Sequence, residues 1–205
     1  MRYYLSSGGA DAATHHLQTE VPAVGGNSWG AVPFGAIVPP ELDEVANPIL
    51  TFETVLEEDI EFVGAVTLSL RFSCSEIDSH VMARLGRVDP SGGYHLLSMG
   101  SIRPACRRID AERSTAVEIA IDIDKPEPLV PGEPITLLFS LTPRPALFRK
   151  GERLRVDIGS RTDILRSDVS HGYEQFDMQV PPYFSRNSIH YGGESYLELE
   201  RIALG

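Results

Sequence analysis

Residues 26–30 read Gly26-Asn27-Ser28-Trp29-Gly30. This G-x-S-x-G spelling is that of a nucleophile elbow, where a serine sits on a sharp strand-to-helix turn. An elbow needs a strand before the serine and a helix after it, whose N-terminus helps to hold the oxyanion. Before Ser28 stands Thr19-Glu20-Val21-Pro22-Ala23-Val24, with a proline inside. After it stands Ala31-Val32-Pro33-Phe34-Gly35, where Pro33 and Gly35 oppose a helix. Ser28 therefore reads as a loop serine, with Trp29 tucked onto a sheet. A triad would also need a base. The six histidines, His15, His16, His80, His95, His171 and His190, have no signature context. Each reads as a surface or hydrogen-bonded imidazole.

The best local concentration of reactive groups is a polar loop holding Asp163, Asp168, His171 and Asp177, with Tyr173 and Tyr183 beside it. Asp163, Asp168, His171, Tyr173 and Tyr183 are the residues expected to face a cleft or a docking partner. Glu118, Asp122 and Asp124 lie at i, i+2 spacing on one strand face and could hold Ca²⁺. No oxygen-rich loop surrounds them, so a solvated face is the better reading, and neither metal nor cofactor is expected. Trp29, Tyr3, Tyr4 and Phe34 could form an aromatic sugar platform. Such residues more often anchor an arm to a sheet.

The elements that would position these groups are strands. Residues 1–50 are punctuated by Gly8-Gly9, Gly25-Gly26, Pro33, Pro39-Pro40 and Pro48. They read as an extended arm over a sheet, with a short strand at Tyr3-Tyr4-Leu5. Alternation then sets in. In Gly64–Ser73, Val66, Leu68, Leu70 and Phe72 point one way, and Thr67, Ser69 and Arg71 the other. Val81–Val88 and Tyr94–Met99 flank Asp89-Pro90-Ser91-Gly92-Gly93, a hairpin turn by composition. Further strands are expected at 50–54, 101–107, 116–123 (Val117, Ile119, Ile121 and Ile123 inward), 135–141, 153–158 and 195–202. Ala146-Leu147-Phe148-Arg149 suggests a single turn, and residues 160–190 a long polar loop. Many short strands without helices between them predict an all-β antiparallel β-sandwich, a jelly roll, as one domain over residues 1–205.

Composition fits this reading. Of 205 residues, 42% are hydrophobic, enough for a core, and the net charge of −11 argues against a nucleic-acid partner. No apolar run approaches the ~20 residues that cross a bilayer, and the N-terminus lacks the apolar core of a signal peptide. A cytoplasmic location is expected, with Cys74 and Cys106 as small buried thiols. A bridge between them stays open if neighbouring strands bring them together.

Four stretches in order resemble the C-terminal β-sandwich of the CocE/NonD serine hydrolases. That group includes cocaine-esterase-like acyl esterases and X-Pro dipeptidyl-peptidases. Residues 21–26, VPAVGG, are similar to the family's P-V-P-T-x-G-G. Residues 50–64 are similar to L-x-Y-x-S-x-P-L-x-x-D-L-x-V-x-G. Residues 77–85, IDSHVMARL, followed by Asp89-Pro90, are similar to x-D-T-D-F-V-A-R-L and its P-D-G turn. Residues 148–160, FRKGERLRVDIGS, are similar to F-x-x-G-H-R-I-R-V-x-I-S-S. The resemblance covers about Tyr3 to Ile202 and implies a galactose-binding-like jelly roll. In this family the serine, aspartate and histidine belong to an α/β-hydrolase domain preceding the sandwich. No position here matches them, so no catalytic residue carries over. The resemblance implies a non-catalytic domain that packs on an α/β-hydrolase domain of the same or a partner chain and walls its substrate cleft. An unpaired docking face would make self-association a hazard. A separate carbohydrate- or peptide-binding module is the alternative. The chain departs from the family at Arg161–His190, where a long segment replaces a short polar link.

Overall fold

A computed structural model describes residues 1–9, 12–33, 49–160 and 182–201. They form twelve strands and no α-helix: β1 (Arg2–Ser6), β2 (His15–Gln18), β3 (Gly25–Ala31), β4 (Leu50–Val55), β5 (Ile60–Cys74), β6 (Val81–Val88), β7 (Tyr94–Ile102), β8 (Ile135–Leu141), β9 (Ala146–Phe148), β10 (Arg153–Gly159), β11 (Ser185–Tyr191) and β12 (Tyr196–Arg201). Pro104–Cys106 make one 3₁₀ turn. Hydrogen-bonded order is β3-β11-β5-β12-β1-β2-β4-β10-β6-β7, with β8 and β9 on β5. All ladders but β2–β4 are antiparallel. The strands wrap a shared apolar interior, and the fold is a β-sandwich.

The spine is β5, 15 residues long, or roughly 50 Å at ~3.3 Å per residue. One edge carries β12 and then β11, the other β8 and β9. Between the part of β5 paired with β9 and the part paired with β8 lies Gly64, whose φ of 136° is open to glycine. The β12 register slips beside it, between Leu199 and Arg201, as at a bulge. Val66, Leu68, Leu70 and Phe72 of β5 meet Leu137, Phe139 and Leu141 of β8, Val156 and Ile158 of β10, and Leu197 and Leu199 of β12 in one core cluster. The alternation read in Gly64–Ser73 does bury Val66, Leu68, Leu70 and Phe72, whereas β6 is buried on both faces apart from Arg87, and β10 is so from Val156 onward. The expected hairpin forms as well. The Asp89 carboxylate accepts from Ser91 N, Ser91 Oγ and Gly93 N, and Gly92 takes a φ of 95°. Those bonds, led by the Ser91 hydroxyl, hold Asp89 well below the usual carboxylate range.

Several expectations are corrected. Among the described residues of 1–50, Arg2–Ser6 and Gly25–Ala31 are no arm over a sheet: β1 is an interior strand between β12 and β2, and β3 pairs along β11. Gly25–Ala31 is a strand rather than a loop. Its glycine composition reflects close packing, since a Cβ on Gly26 would sit 2.5 Å from the Ile189 carbonyl oxygen. The 116–123 strand is absent. Ile121 makes a single bridge to Ile109, while Val117 and Ile123 are exposed. Neighbouring side chains claim the amides that a ladder would need. Thr115 Oγ1 accepts from Val117 N and Glu118 N, Ser114 Oγ from Ala120 N, and Ser140 Oγ from Ile119 N. Such bonds compete with sheet pairing. The 101–107 strand ends at Ile102, where Pro104 opens the 3₁₀ turn. Ala146–Phe148 is a strand on β5, not a helical turn. Of the expected 160–190 loop, Ser185–Tyr191 is strand β11 instead, and residues 161–181 lie outside the described residues.

Candidate functional site

Ser28 lies mid-strand in β3, and its Oγ meets the Ser188 hydroxyl at 2.8 Å. Trp29 continues the strand to Ala31, so no helix springs from the serine. Ser73 does meet an imidazole, with Oγ 2.9 Å from His190 Nε2. Yet Ser73 is buried within the β5–β11 ladder. Among the described residues no carboxylate hydrogen-bonds His190. A strand amide engaged in a ladder cannot serve as an oxyanion donor. The described residues thus hold hydroxyl and imidazole pairs of structural kind, not an activated nucleophile.

His80 is buried and donates Nδ1–H to the Ser160 carbonyl at 2.9 Å. His15 is buried against Phe52, and its Nδ1 accepts from Gly8 N at 3.2 Å. Burial first, then the charge of His16, holds the His15 pKa below the ordinary imidazole value. Cys74 and Cys106 are both free and buried, and desolvation pushes the Cys74 thiol up.

Of the residues expected to face a cleft, Asp163, Asp168, His171 and Tyr173 lie outside the described residues. Tyr183 is half-exposed at the entry to β11. Glu118, Asp122 and Asp124 do not form a cation site: Asp122 pairs with Arg108 at 3.1 Å, and no metal-binding cluster occurs among the described residues. Tyr3 and Trp29 are core residues, and Tyr4 packs edge-on to Tyr196 at 5.9 Å. These three form no sugar platform; they anchor their strands to the sheet. Phe34 lies outside the described residues.

Beside Tyr183, the structure assembles a polar knot that pattern reading missed. Ser160 follows β10, and its hydroxyl accepts from Trp29 Nε1 and Asn187 Nδ2, each at 2.8 Å. It ties β3, β10 and β11 together at one end of the sandwich. Next to it, in the β5–β6 connection, Asp78 is buried. Its Oδ1 accepts from Ser79 N at 2.9 Å and Ala105 N at 3.0 Å, and its Oδ2 from Arg103 Nε at 3.0 Å. Arg103 also donates Nη2 to that oxygen and stays charged more firmly than usual, chiefly through this bond. Tyr183 lies within electrostatic reach of the guanidinium. Signals for this knot existed: IDSH and the serine closing RVDIGS both fall in stretches that carry the family resemblance. Asn187 escaped notice because a polar residue on the inward face of β11 breaks the apolar alternation.

No helix among the described residues is long and apolar enough to cross a membrane. The chain is 29% identical over 128 residues to a Mycobacterium bovis protein named as a candidate serine esterase. That match covers 60% of this chain and 19% of the esterase. The fold superposes on a CocE/NonD family hydrolase of Staphylococcus aureus with a TM-score of 0.77 at 17% identity, over 99% of this chain and 36% of the hydrolase. It superposes on an α-amino acid ester hydrolase with a TM-score of 0.64 at 20% identity, over 98% and 36%. The chain thus spans about a third of the length of these solved structures and a fifth of the esterase. Residues 1–198 match the X-Pro dipeptidyl-peptidase C-terminal non-catalytic domain, and the chain belongs to that family.

Proposed function

We propose that this domain packs against an α/β-hydrolase domain and forms part of the wall of its substrate cleft. The parent reaction is acyl transfer to water from an ester or an X-Pro amide. Serine, histidine and aspartate would come from the hydrolase domain. One observation carries the reading. The family match runs through residues 1–198, while Ser28, Ser73 and Ser188, which meet partner side chains in mid-strand, are locked into strand ladders. The S. aureus hydrolase and the ester hydrolase, each about three times as long, support a partner domain of that chemistry.

The test is an activity partition. The chain alone, offered p-nitrophenyl esters and X-Pro p-nitroanilides, should turn over neither above buffer. A complex with the α/β-hydrolase domain should hydrolyse at least one, and truncating the present domain should alter KM. Turnover by the chain alone that disappears in Ser28→Ala would overturn the reading.

A further inference from the structure

The geometry points to one end of the sandwich, around Ile77, Val130, Tyr183 and Phe184, as the surface that seats the α/β-hydrolase domain. This rests on the proposed function above and names the docking face it leaves open. The four side chains are exposed at 45%, 56%, 41% and 64%. They come from three separate segments that converge. Leu129 N bonds the Ile77 carbonyl at 2.7 Å, which sets Val130 beside Ile77. Ser75 N bonds the Arg186 carbonyl at 3.0 Å, and Ser79 Oγ lies 3.3 Å from Ser185 Oγ. The 75–79 connection is thereby held against the start of β11, where Tyr183 and Phe184 sit.

This cluster differs in kind from isolated exposed aliphatics, which are ordinary on any surface. Its segments are tied to one another by these contacts, and it contains two aromatics, the residue types enriched where interfaces are buried. Its backbone is fixed by the Asp78 knot beneath it. Arg103 stands at its rim with a side chain 57% exposed. Two of its nitrogens are held by Asp78. The two bonds fix the orientation of the guanidinium. An apolar patch rimmed by a fixed cation fits a partner surface that is apolar with a carboxylate or carbonyl at its margin. A second copy of this chain fits less well, because its net charge of −11 opposes self-association. The occupant is argued from length: this chain spans 36% of the matched hydrolase structures, so most of such a protein lies outside it. Four side chains supply roughly 300 Å² of apolar surface. That is the centre of an interdomain interface of about 600–1,500 Å², not the whole of one.

The experiment places a photo-crosslinking phenylalanine analogue at Phe184 or Val130 in the complex with the α/β-hydrolase domain. Val24 and Val63 serve as controls. They are exposed at 93% and 41% and lie at the opposite ends of β3 and β5. Crosslinks from 184 and 130 to the hydrolase domain, absent from 24 and 63, are expected. Crosslinks from 24 or 63 instead overturn the assigned face while leaving the proposed function standing. No crosslink from any position overturns the assigned face, and failure of the two domains to form a complex at all overturns the proposed function. In parallel, Phe184→Asp should weaken association at least ~10-fold while moving the chain's own Tm by less than about 2 °C. Unchanged affinity in Phe184→Asp overturns the docking face.

Discussion

Removing a single oxygen, the Ser160 hydroxyl, should destabilise the fold far more than removing the hydroxyl of Ser28. The Ser160 oxygen is the common acceptor for Trp29 Nε1 and Asn187 Nδ2, and Ser160, Trp29 and Asn187 are all at most 2% exposed. Ser160→Ala leaves two donors buried without an acceptor, and each orphaned donor costs about 1–3 kcal/mol. The His80 bond to the Ser160 carbonyl is a main-chain bond and survives. Asn187 has partial recourse through Ser185, whose hydroxyl reaches Asn187 Oδ1 at 3.4 Å, but that contact satisfies the acceptor side, not the orphaned amide hydrogens. The sum is about 2–6 kcal/mol, a large share of the 5–15 kcal/mol by which domains are stable. With an m-value of about 2 kcal/mol/M in urea, the midpoint falls by roughly 1–3 M. Trp29 is the only tryptophan, so its fluorescence reports both unfolding and the knot. Ser28→Ala is the matched control: its hydroxyl meets Ser188 at an exposed edge, and its effect should stay within about 0.5 kcal/mol. A midpoint shift under 0.3 M for Ser160→Ala, on the order of 0.6 kcal/mol at that m-value, with m unchanged, would refute the reasoning.

Other outcomes follow from the same geometry. Gly100→Ala places a Cβ 2.4 Å from the Ser140 carbonyl oxygen and 3.0 Å from Leu141 Cα. Backbone cannot step aside cheaply, so β7 and β8 must part, at about 1–3 kcal/mol, read as a lowered Tm. Asp78→Asn keeps an acceptor for Ser79 N and Ala105 N but turns an amide toward Arg103. A loss of about 2 kcal/mol is expected, and Asp78→Asn with Arg103→Leu should cost less than the sum of the two single changes in a double-mutant cycle. His15 has a folded pKa below its unfolded value because its ring is buried and, secondly, because His16 stands beside it. Its contribution is therefore complete above about pH 6.5 and is lost as pH falls through the folded pKa. The urea midpoint should drop between pH 7.5 and 5.5, and drop less in His15→Gln.

Much of the fold is legible wherever a strand is apolar on one face. In β5 and β8 the inward residues are Val, Leu and Phe, and the period of two is clear, whereas β6 is buried on both faces. Legibility fails in two physical situations. One is an inward polar residue that the fold satisfies at a distance, as Asn187 is by Ser160, 27 residues earlier. The other is a good alternating pattern without a free neighbour. Val117 to Ile123 has the right side chains for a strand, but Thr115, Ser114 and Ser140 hydroxyls occupy its amides. The glycines of 25–30 mislead in the opposite direction. They look like loop chemistry, yet Gly26 is required because β11 passes too close for a side chain. The site is legible only in outline: its residue types single out Tyr183, but not Asp78, Arg103 or Phe184. Their grouping depends on loops distant in sequence meeting at one end.

The ladders also explain why serine chemistry is not to be found in the described sandwich. An acyl-transfer nucleophile needs its own hydroxyl exposed, an imidazole held in one tautomer, and amide hydrogens pointing at empty space. In a paired strand those amides point at a neighbouring carbonyl, and the side chains stand perpendicular to them. Ser28, Ser188 and Ser73 face one another across β3, β11 and β5, so their hydroxyls are used across strands. What such a sheet does offer is rigid placement of the loops at its ends. Asp78 is the case in point: its carboxylate fixes Arg103, and its connection fixes Ile77 against Phe184's strand. A surface so fixed loses little entropy when a partner covers it, which suits the part proposed for this domain, holding another domain's cleft in shape.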